Sequence, residues 1–407
     1  MFDEKEKTFL SDGFVNGECT FCGAQDQYGD GCEKCGKVYS PLDLKKPYSI
    51  LSKQAPVIKE STHLFFKLTK AKEFLEEFLE KPALSKDVIN YLKNWLEKLE
   101  EWYISREPPY DGFKFPGEDK YFYVWWDAPL GYFAALKHYC EQNNLSFTSF
   151  VKNEKSEIVQ FIGKDIVYHH YLFWPAMLHV GGYNLPNAIP VRGHLTLNGE
   201  KFSKSRGIII TPAQVVSKYD KDFLRFYLTA VTPNSPVDVD FSWQEFKNKV
   251  NGELIDNYGN LLFRVTSMIK TKCDSKVPEP ANYEDEDKAF SELFTPFLEK
   301  IKGHYEKADL KQALETTMDF CRKSNKYVND TKPWDLQKNH VERYKTVLYL
   351  SFKAVAIATI ALTPIIPDSC DRLIKTLGLK LKWDESLIKP GLIVNPQIPF
   401  KKIEEEF

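Results

Sequence analysis

The segment Ala188-Ile189-Pro190-Val191-Arg192-Gly193-His194-Leu195-Thr196-Leu197-Asn198-Gly199-Glu200-Lys201-Phe202-Ser203-Lys204-Ser205-Arg206-Gly207 decides how the rest of the chain reads. Ala188 to Val191 is apolar and strand-like, and Asn198-Gly199 is a hairpin signal. The turn delivers a loop with two lysines three residues apart, Lys201 and Lys204, beside the hydroxyls of Ser203 and Ser205, an arginine and a glycine hinge. Mobile ammonium groups on such a backbone can follow a phosphate chain as negative charge moves onto a leaving group, which stabilises a transition state without covalent chemistry. The same residues would also make a solvated basic turn, so the loop alone leaves both readings open.

Upstream, Tyr121-Phe122-Tyr123-Val124-Trp125-Trp126 is almost wholly apolar, as expected of a strand buried on both faces of a parallel sheet. Ile158 to Ile162 reads as a second strand and Ala188 to Val191 as a third, with helices around 130–142 and 166–180 between them. That alternation predicts an α/β fold. Earlier still, Phe65-Phe66 is strand-like, and Val88, Ile89, Tyr91, Leu92, Trp95, Leu96 and Leu99 recur at helical spacing behind a capping Ser85, as packing residues do. Downstream of Phe241 the pattern changes to long amphipathic helices, about 243–270, 286–303, 307–329 and 341–362, which predict an all-α bundle. In the charged tail, Leu392-Ile393-Val394 is expected to return along the body.

Composition sets limits on these readings. The chain of 407 residues is 43% apolar with 29 Phe and 21 Tyr, enough for real cores, and its net charge of −2 puts any nucleic-acid contact on local patches. Met1 to Lys7 is charged with no apolar signal segment, and no uninterrupted apolar run is long enough to span a bilayer, so a cytosolic protein without a membrane partner is expected. Eight cysteines then point to metal ligands or packed thiols. Four of them form Cys19-x-x-Cys22 and Cys32-x-x-Cys35, each pair followed by a turn-permitting glycine, Gly23 or Gly36. Two such knuckles suit one structural zinc ion per chain, with no open coordination position; two redox pairs or two disulfides are the other readings of the spacing.

Taken together, these motifs resemble methionyl-tRNA synthetase, a class I aminoacyl-tRNA synthetase, over nearly the whole chain. Lys201-Phe202-Ser203-Lys204-Ser205 is similar to the family's Lys-Met-Ser-Lys-Ser loop, departing only at Phe202. The resemblance implies a partial Rossmann-type parallel sheet with a zinc-knuckle subdomain, followed by an anticodon-binding helical bundle. The implied divisions are 1–46 for the knuckle, 47–187 for the rest of the insertion and the second half of the catalytic domain, and 188–240 for the lysine loop and linker. The anticodon domain would be 241–375 and the returning tail 376–407.

It also implies residue roles. Trp125, Ala128, Pro129 and Tyr132 match the wall of the methionine pocket. Ile166, His170 and Trp174, spaced by four, would project into it from a helix starting near Asp165; without the family they are a packed aromatic stripe. Arg106 matches an arginine near the active site. Gly163, Lys164 and Asp165, at a strand end, match ATP contacts together with Lys204. Asn260, Arg264, Pro333 and Trp334 match the elements that read the anticodon of tRNA(Met). Magnesium would accompany ATP. The family's His-Ile-Gly-His element is not spelled by these residues, which leads to the expectation of a split enzyme, with a separate N-terminal chain supplying that half. A non-catalytic paralogue that binds tRNA or protein is the alternative.

Overall fold

The computed structural model describes residues 1–29, 31–32, 34–35, 37, 39–108, 110–197, 199–201, 210–380 and 388–404. The chain forms two compact units. One comprises Met1–Pro82, Ile89–Ile158 and Tyr168–Asn187; the other comprises Ala83–Val88, Val159–Val167 and Ala188–Phe407.

In the second unit the hairpin forms as its sequence predicts. Leu195–Leu197 pairs antiparallel with Glu200–Lys201, Thr196 opposite Lys201, and Gly199 turns at φ +76°, a conformation L side chains rarely adopt. The other edge of Leu195–Leu197 pairs in parallel with Val239–Phe241. Ile162–Gly163 pairs in parallel with Val191–Arg192, extended by a bridge from Val159 to Ala188. The second and third expected strands therefore exist, but the regular ladder is confined to their C-terminal ends. Pro190 offers only its carbonyl, which accepts from the Ile162 amide at 3.0 Å, so the ladder cannot run unbroken through it. Parallel pairs feeding helices give the Rossmann-like character of the sheet.

In the first unit the expected strand at 121–126 is not one. Only Tyr121–Phe122 is strand, antiparallel to Ser105–Arg106, and Val124–Asp127 is a turn of helix. An apolar run satisfies helix and strand alike, and here the partly buried aromatics pack against neighbouring rings. Trp126 packs against Phe66 and Trp102 at 5.3 and 5.7 Å, while Val124 remains 47% exposed. The helix at Leu130–Gln142 is as expected. The helix expected at 166–180 is broken into a 3-10 turn at Lys164–Ile166, a π-helical turn at His169–Phe173 and an α-helix at Trp174–Gly181. Pro175 lacks the N–H that would bond back to Tyr171, and the wider turn, with the Trp174 amide bonded to the His169 carbonyl, absorbs that loss. In the helix Lys86–Glu97, Leu92 and Leu96 are buried as predicted, but Tyr91 and Trp95 are exposed, and Trp95 meets the Tyr168 ring at a tilt.

The helical bundle has the expected long helices, but the one expected at 286–303 is two, broken after Ser291, and Pro333–Asn339 and Pro367–Thr376 were not foreseen. A continuous helical run from Trp243 to Lys272 contains a π segment, Val250–Gly259, ahead of Asn260. Asp285–Ser291, Phe294–Glu306, Leu310–Thr331, Pro333–Asn339, Val341–Leu362 and Pro367–Thr376 complete it. Val341–Leu362 is long and apolar enough to cross a membrane by length and composition, but 83% of its apolar 18-residue window is buried inside the bundle, where it is the central helix. The tail returns as predicted: the Val277 amide donates to the Leu392 carbonyl and the Val394 amide to that of Ser275, at 2.9 and 2.8 Å.

One ionic cluster ties three helices together. Arg343, nearly buried, meets Glu284 at 3.1 Å, Glu286 at 3.3 Å and the fully buried Asp287, which also accepts from the Tyr327 hydroxyl. Arg343→Ala leaves a buried carboxylate without its cation and is expected to destabilise the bundle by about 3–5 kcal/mol, read as a shift in the denaturant midpoint.

Candidate functional site

The four knuckle cysteines converge. Val15–Glu18, paired with Gln27–Tyr28 on one side and Lys45–Ser49 on the other, carries Cys19 to the sheet's end, and Gly23 (φ +72°) turns the chain so that its amide bonds back to the Cys19 carbonyl. Sγ of Cys19 lies 3.9 Å from that of Cys35, and Cys22 lies 3.6 Å from Cys32; all four sulfurs fall within 4.8 Å of one another. A tetrahedral ion with bonds of about 2.3 Å requires sulfur separations of roughly 3.8 Å, whereas disulfides need about 2.05 Å. The donor set therefore fits a four-thiolate metal site and not two disulfides. The Cys19 and Cys22 thiols are shifted in opposite directions. Burial raises the Cys19 thiol, but the Cys22 and Phe21 amides outweigh it and hold it down at about 7. Cys22 is lowered by the Ala24 amide, yet burial and the neighbouring thiols of Cys32, Cys35 and Cys19 push it up to about 12. A dication would remove that conflict. Gly36 lies outside the described residues.

The aromatic residues expected to line a pocket come together within the first unit. Trp125 stacks on His169 at 3.9 Å and stands edge-on to His170 at 6.3 Å. The Tyr132 hydroxyl lies 2.8 Å from His170 Nε2, and its ring meets Trp174 at 6.4 Å. His170 and Trp174 are almost fully buried. Burial raises the Tyr132 phenol, so it keeps its proton, and the tautomer of His170 sets which of the two groups donates in this hydrogen bond. Pro129 is buried and Ala128 exposed at the junction of the two helices. Arg106 lies over the Tyr123 and Tyr103 rings at 3.8 and 4.3 Å, and donates to the Tyr103 hydroxyl at 3.2 Å. Ile166 falls in the second unit, so it is not among the residues gathered here.

In the second unit, Gly163 ends a parallel strand and Lys164 follows it; the carboxyl ends of such strands are where α/β sheets take ligands. The Lys164 ammonium lies 2.6 Å from Asp238 Oδ1, which also accepts from the His194 amide at 2.7 Å. The Lys164 hydrogen bond is the largest cause holding the Asp238 carboxyl below its ordinary range. Asp165 is exposed beside it. Lys201 is in the second strand of the hairpin, while Ser203, Lys204 and Ser205 lie outside the described residues. Sequence reasoning overlooked Asp238 and Asp240; the alternation in Val237-Asp238-Val239-Asp240-Phe241 signals a strand with both carboxylates on one face.

In the bundle, Asn260 and Arg264 are one turn apart. Asn260 donates to Asp256 at 3.1 Å, and Arg264 donates to Asn329 and Asn325, both at 2.9 Å. These asparagines, four apart on Leu310–Thr331, were also overlooked. That helix ends at Lys332 in a left-handed turn (φ +43°), followed by buried Pro333 and by Trp334, 45% exposed.

Residues 1–266 match the family of tRNA synthetases class I (M), and residues 277–406 match the anticodon binding domain of methionyl tRNA ligase. A methionine–tRNA ligase of Buchnera aphidicola subsp. Schizaphis graminum is 36% identical over 411 residues, covering 99% of this chain and 74% of that protein. The Mycobacterium tuberculosis methionyl-tRNA synthetase in complex with methionyl-adenylate is similar at TM-score 0.75 and 26% identity, over 86% of this chain and 70% of that one. Its apo form has TM-score 0.77 over 99% of this chain and 76% of the other; at 22% identity, that is a likeness of fold. The Buchnera relative aligns along essentially this entire chain, which gives no support to a separate N-terminal partner. The chain belongs to the methionyl-tRNA synthetase family, with a class I catalytic region followed by an anticodon-binding helical domain.

Proposed function

We propose that this chain activates methionine with ATP and transfers it to tRNA(Met), in a cytosolic compartment where the four knuckle thiols stay reduced. The observation that carries the reading is the Tyr132–His170 hydrogen bond set among Trp125 and Trp174, an aromatic cup closed by one polar pair. A thioether is flexible and polarisable, and aromatic walls suit it. Ala128 and Pro129 complete the pocket, and Arg106 lies near it; Ile166, to which the resemblance also gives a methionine contact, belongs to the other unit. The methionine carboxylate attacks the α-phosphate, and pyrophosphate departs under the charge of Lys201 and Lys204, with Ser203 and Ser205 offering hydroxyls. Gly163, Lys164 and Asp165 contact the nucleotide, which brings its own magnesium. The terminal adenosine of tRNA then takes the methionyl group from the adenylate. Zinc on Cys19, Cys22, Cys32 and Cys35 holds the knuckle's shape and takes no part in these steps.

Methionine-dependent exchange of pyrophosphate into ATP tests this reading; absence of exchange from the protein recovered with its native companions would overturn it. A second chain carrying His-Ile-Gly-His is a finer proposal within the reading, resting only on the absence of that spelling here. Assaying the chain alone and as it co-purifies tells the two apart. Exposed Trp334 is read as a stacking platform for an anticodon base beside Asn260, Arg264 and Pro333. Trp334→Ala is expected to weaken binding of a CAU anticodon stem-loop by about 1–3 kcal/mol, roughly 5- to 150-fold, measured by titration, with pyrophosphate exchange unchanged.

A further inference from the structure

The strand Val239–Phe241 has no role in the chemistry described above, yet it touches both of the lysine-bearing elements. It pairs in parallel with Leu195–Leu197, and Gly193 is pressed so closely on Val237 and Asp238 that a β-carbon there would overlap the Val237 carbonyl. The register of this strand against the hairpin is thereby fixed. Asp240, in the strand, and Asp238, the residue before it, are two apart in sequence. Asp240 Oδ1 accepts from the Thr196 hydroxyl at 2.7 Å and from the Gly199 amide at 2.8 Å, bridging one hairpin strand to the turn itself. Asp238 Oδ1 accepts from Lys164 and from the His194 amide. Each of the two lysine-bearing elements of the second unit is thus held by its own carboxylate, Asp240 within the strand and Asp238 immediately before it.

We propose that Asp240 and Asp238 are positioning residues: Asp240 fixes the hairpin that carries Lys201, and Asp238 fixes the Lys164 ammonium at the end of its strand. This rests on the reading of the chain as a methionine-activating enzyme. The lysines are useful only where charge develops, and a ligand group misplaced by an ångström loses much of its effect on the transition state. Asp240 should therefore act on turnover. Asp238 should act on nucleotide binding, through a single ammonium.

Three variants test it. Asp240→Ala is expected to lower kcat of methionine-dependent pyrophosphate exchange by roughly 10- to 50-fold with KM for methionine unchanged, and to speed hydrogen exchange of the Gly199 amide at least tenfold. Asp240→Asn keeps an acceptor oxygen and should restore both within a few-fold. Asp238→Ala is expected to raise KM for ATP about fivefold and leave KM for methionine unchanged. Unaltered Gly199 exchange in Asp240→Ala, or a kcat within twofold of wild type, overturns the proposal, as does an equal rise in both KM values in Asp238→Ala. Should the wild type show no pyrophosphate exchange, the activation reading fails, and the Gly199 amide still decides whether Asp240 positions the turn.

Discussion

Lys204→Ala is expected to depress methionine-dependent pyrophosphate exchange by about 100-fold or more, a loss on the order of 3 kcal/mol of transition-state stabilisation. The reasoning is electrostatic. Negative charge migrates toward the β- and γ-phosphates as the α-phosphorus bond breaks, and an ammonium placed there is worth most at that moment. Lys204 follows the hairpin that Asp240 and Gly199 define, three residues past Lys201 and after Phe202, which departs from the family's methionine without altering the charge. Because the residues proposed to read the anticodon belong to the helical bundle, binding of a CAU stem-loop should be unchanged in this variant. Lys204→Arg keeps the charge and should recover part of the rate. Equal rates in wild type and Lys204→Ala would remove the loop from the mechanism.

Stripping the metal is expected to unfold the knuckle and leave the bundle folded. The buried core of that subdomain consists of Leu10, Val15, Tyr39 and Leu44 with Cys19 and Cys32, and segments of this size are rarely stable without a metal or disulfides. Two of its six core residues, Cys19 and Cys32, are among the four proposed ligands. Zinc binding supplies about 10–16 kcal/mol to comparable finger peptides, so its loss outweighs anything that small core contributes. Cys32→Ser or a strong chelator should therefore collapse the dispersed amide signals of residues 1–46 in an NMR spectrum, while the bundle's far-ultraviolet helical signal melts as before. One equivalent of zinc per chain is expected in the untreated protein. Dispersed signals surviving in a metal-free Cys32→Ser protein would show that the thiols do not hold this fold together.

How much of this was legible beforehand depended on how local the signal was. The hairpin could be read because Asn198-Gly199 encodes a turn within two residues, and the cysteine knuckles because four ligands at two fixed spacings admit few structures. The long bundle helices could be read because Leu310–Thr331 keeps one apolar face over many turns and Val341–Leu362 is apolar almost all round. Tyr121–Trp126 could not: its six residues are apolar on every side, so periodicity carries no information, and aromatic packing against Trp102 and Phe66 decided for a helical turn at Val124. The π turns at His169–Phe173 and Val250–Gly259 were equally silent, although Pro175 marks where the first must yield. Tyr132 and His170 were placed together by resemblance alone. Their hydrogen bond joins residues 38 apart, a pairing no short-range pattern encodes. Asp238 and Asp240 show the reverse case, with a visible period-two pattern whose partners, more than 40 residues away, were not.

The most direct measurement is attachment of radiolabelled methionine to tRNA by this protein as recovered from its native cells, comparing a tRNA bearing CAU with the same tRNA bearing a changed anticodon. The account predicts ATP-dependent charging of the CAU tRNA, lost on changing the anticodon and on replacing methionine with leucine. Charging that ignores the anticodon, or none at all under conditions where the protein binds the CAU tRNA, would contradict it.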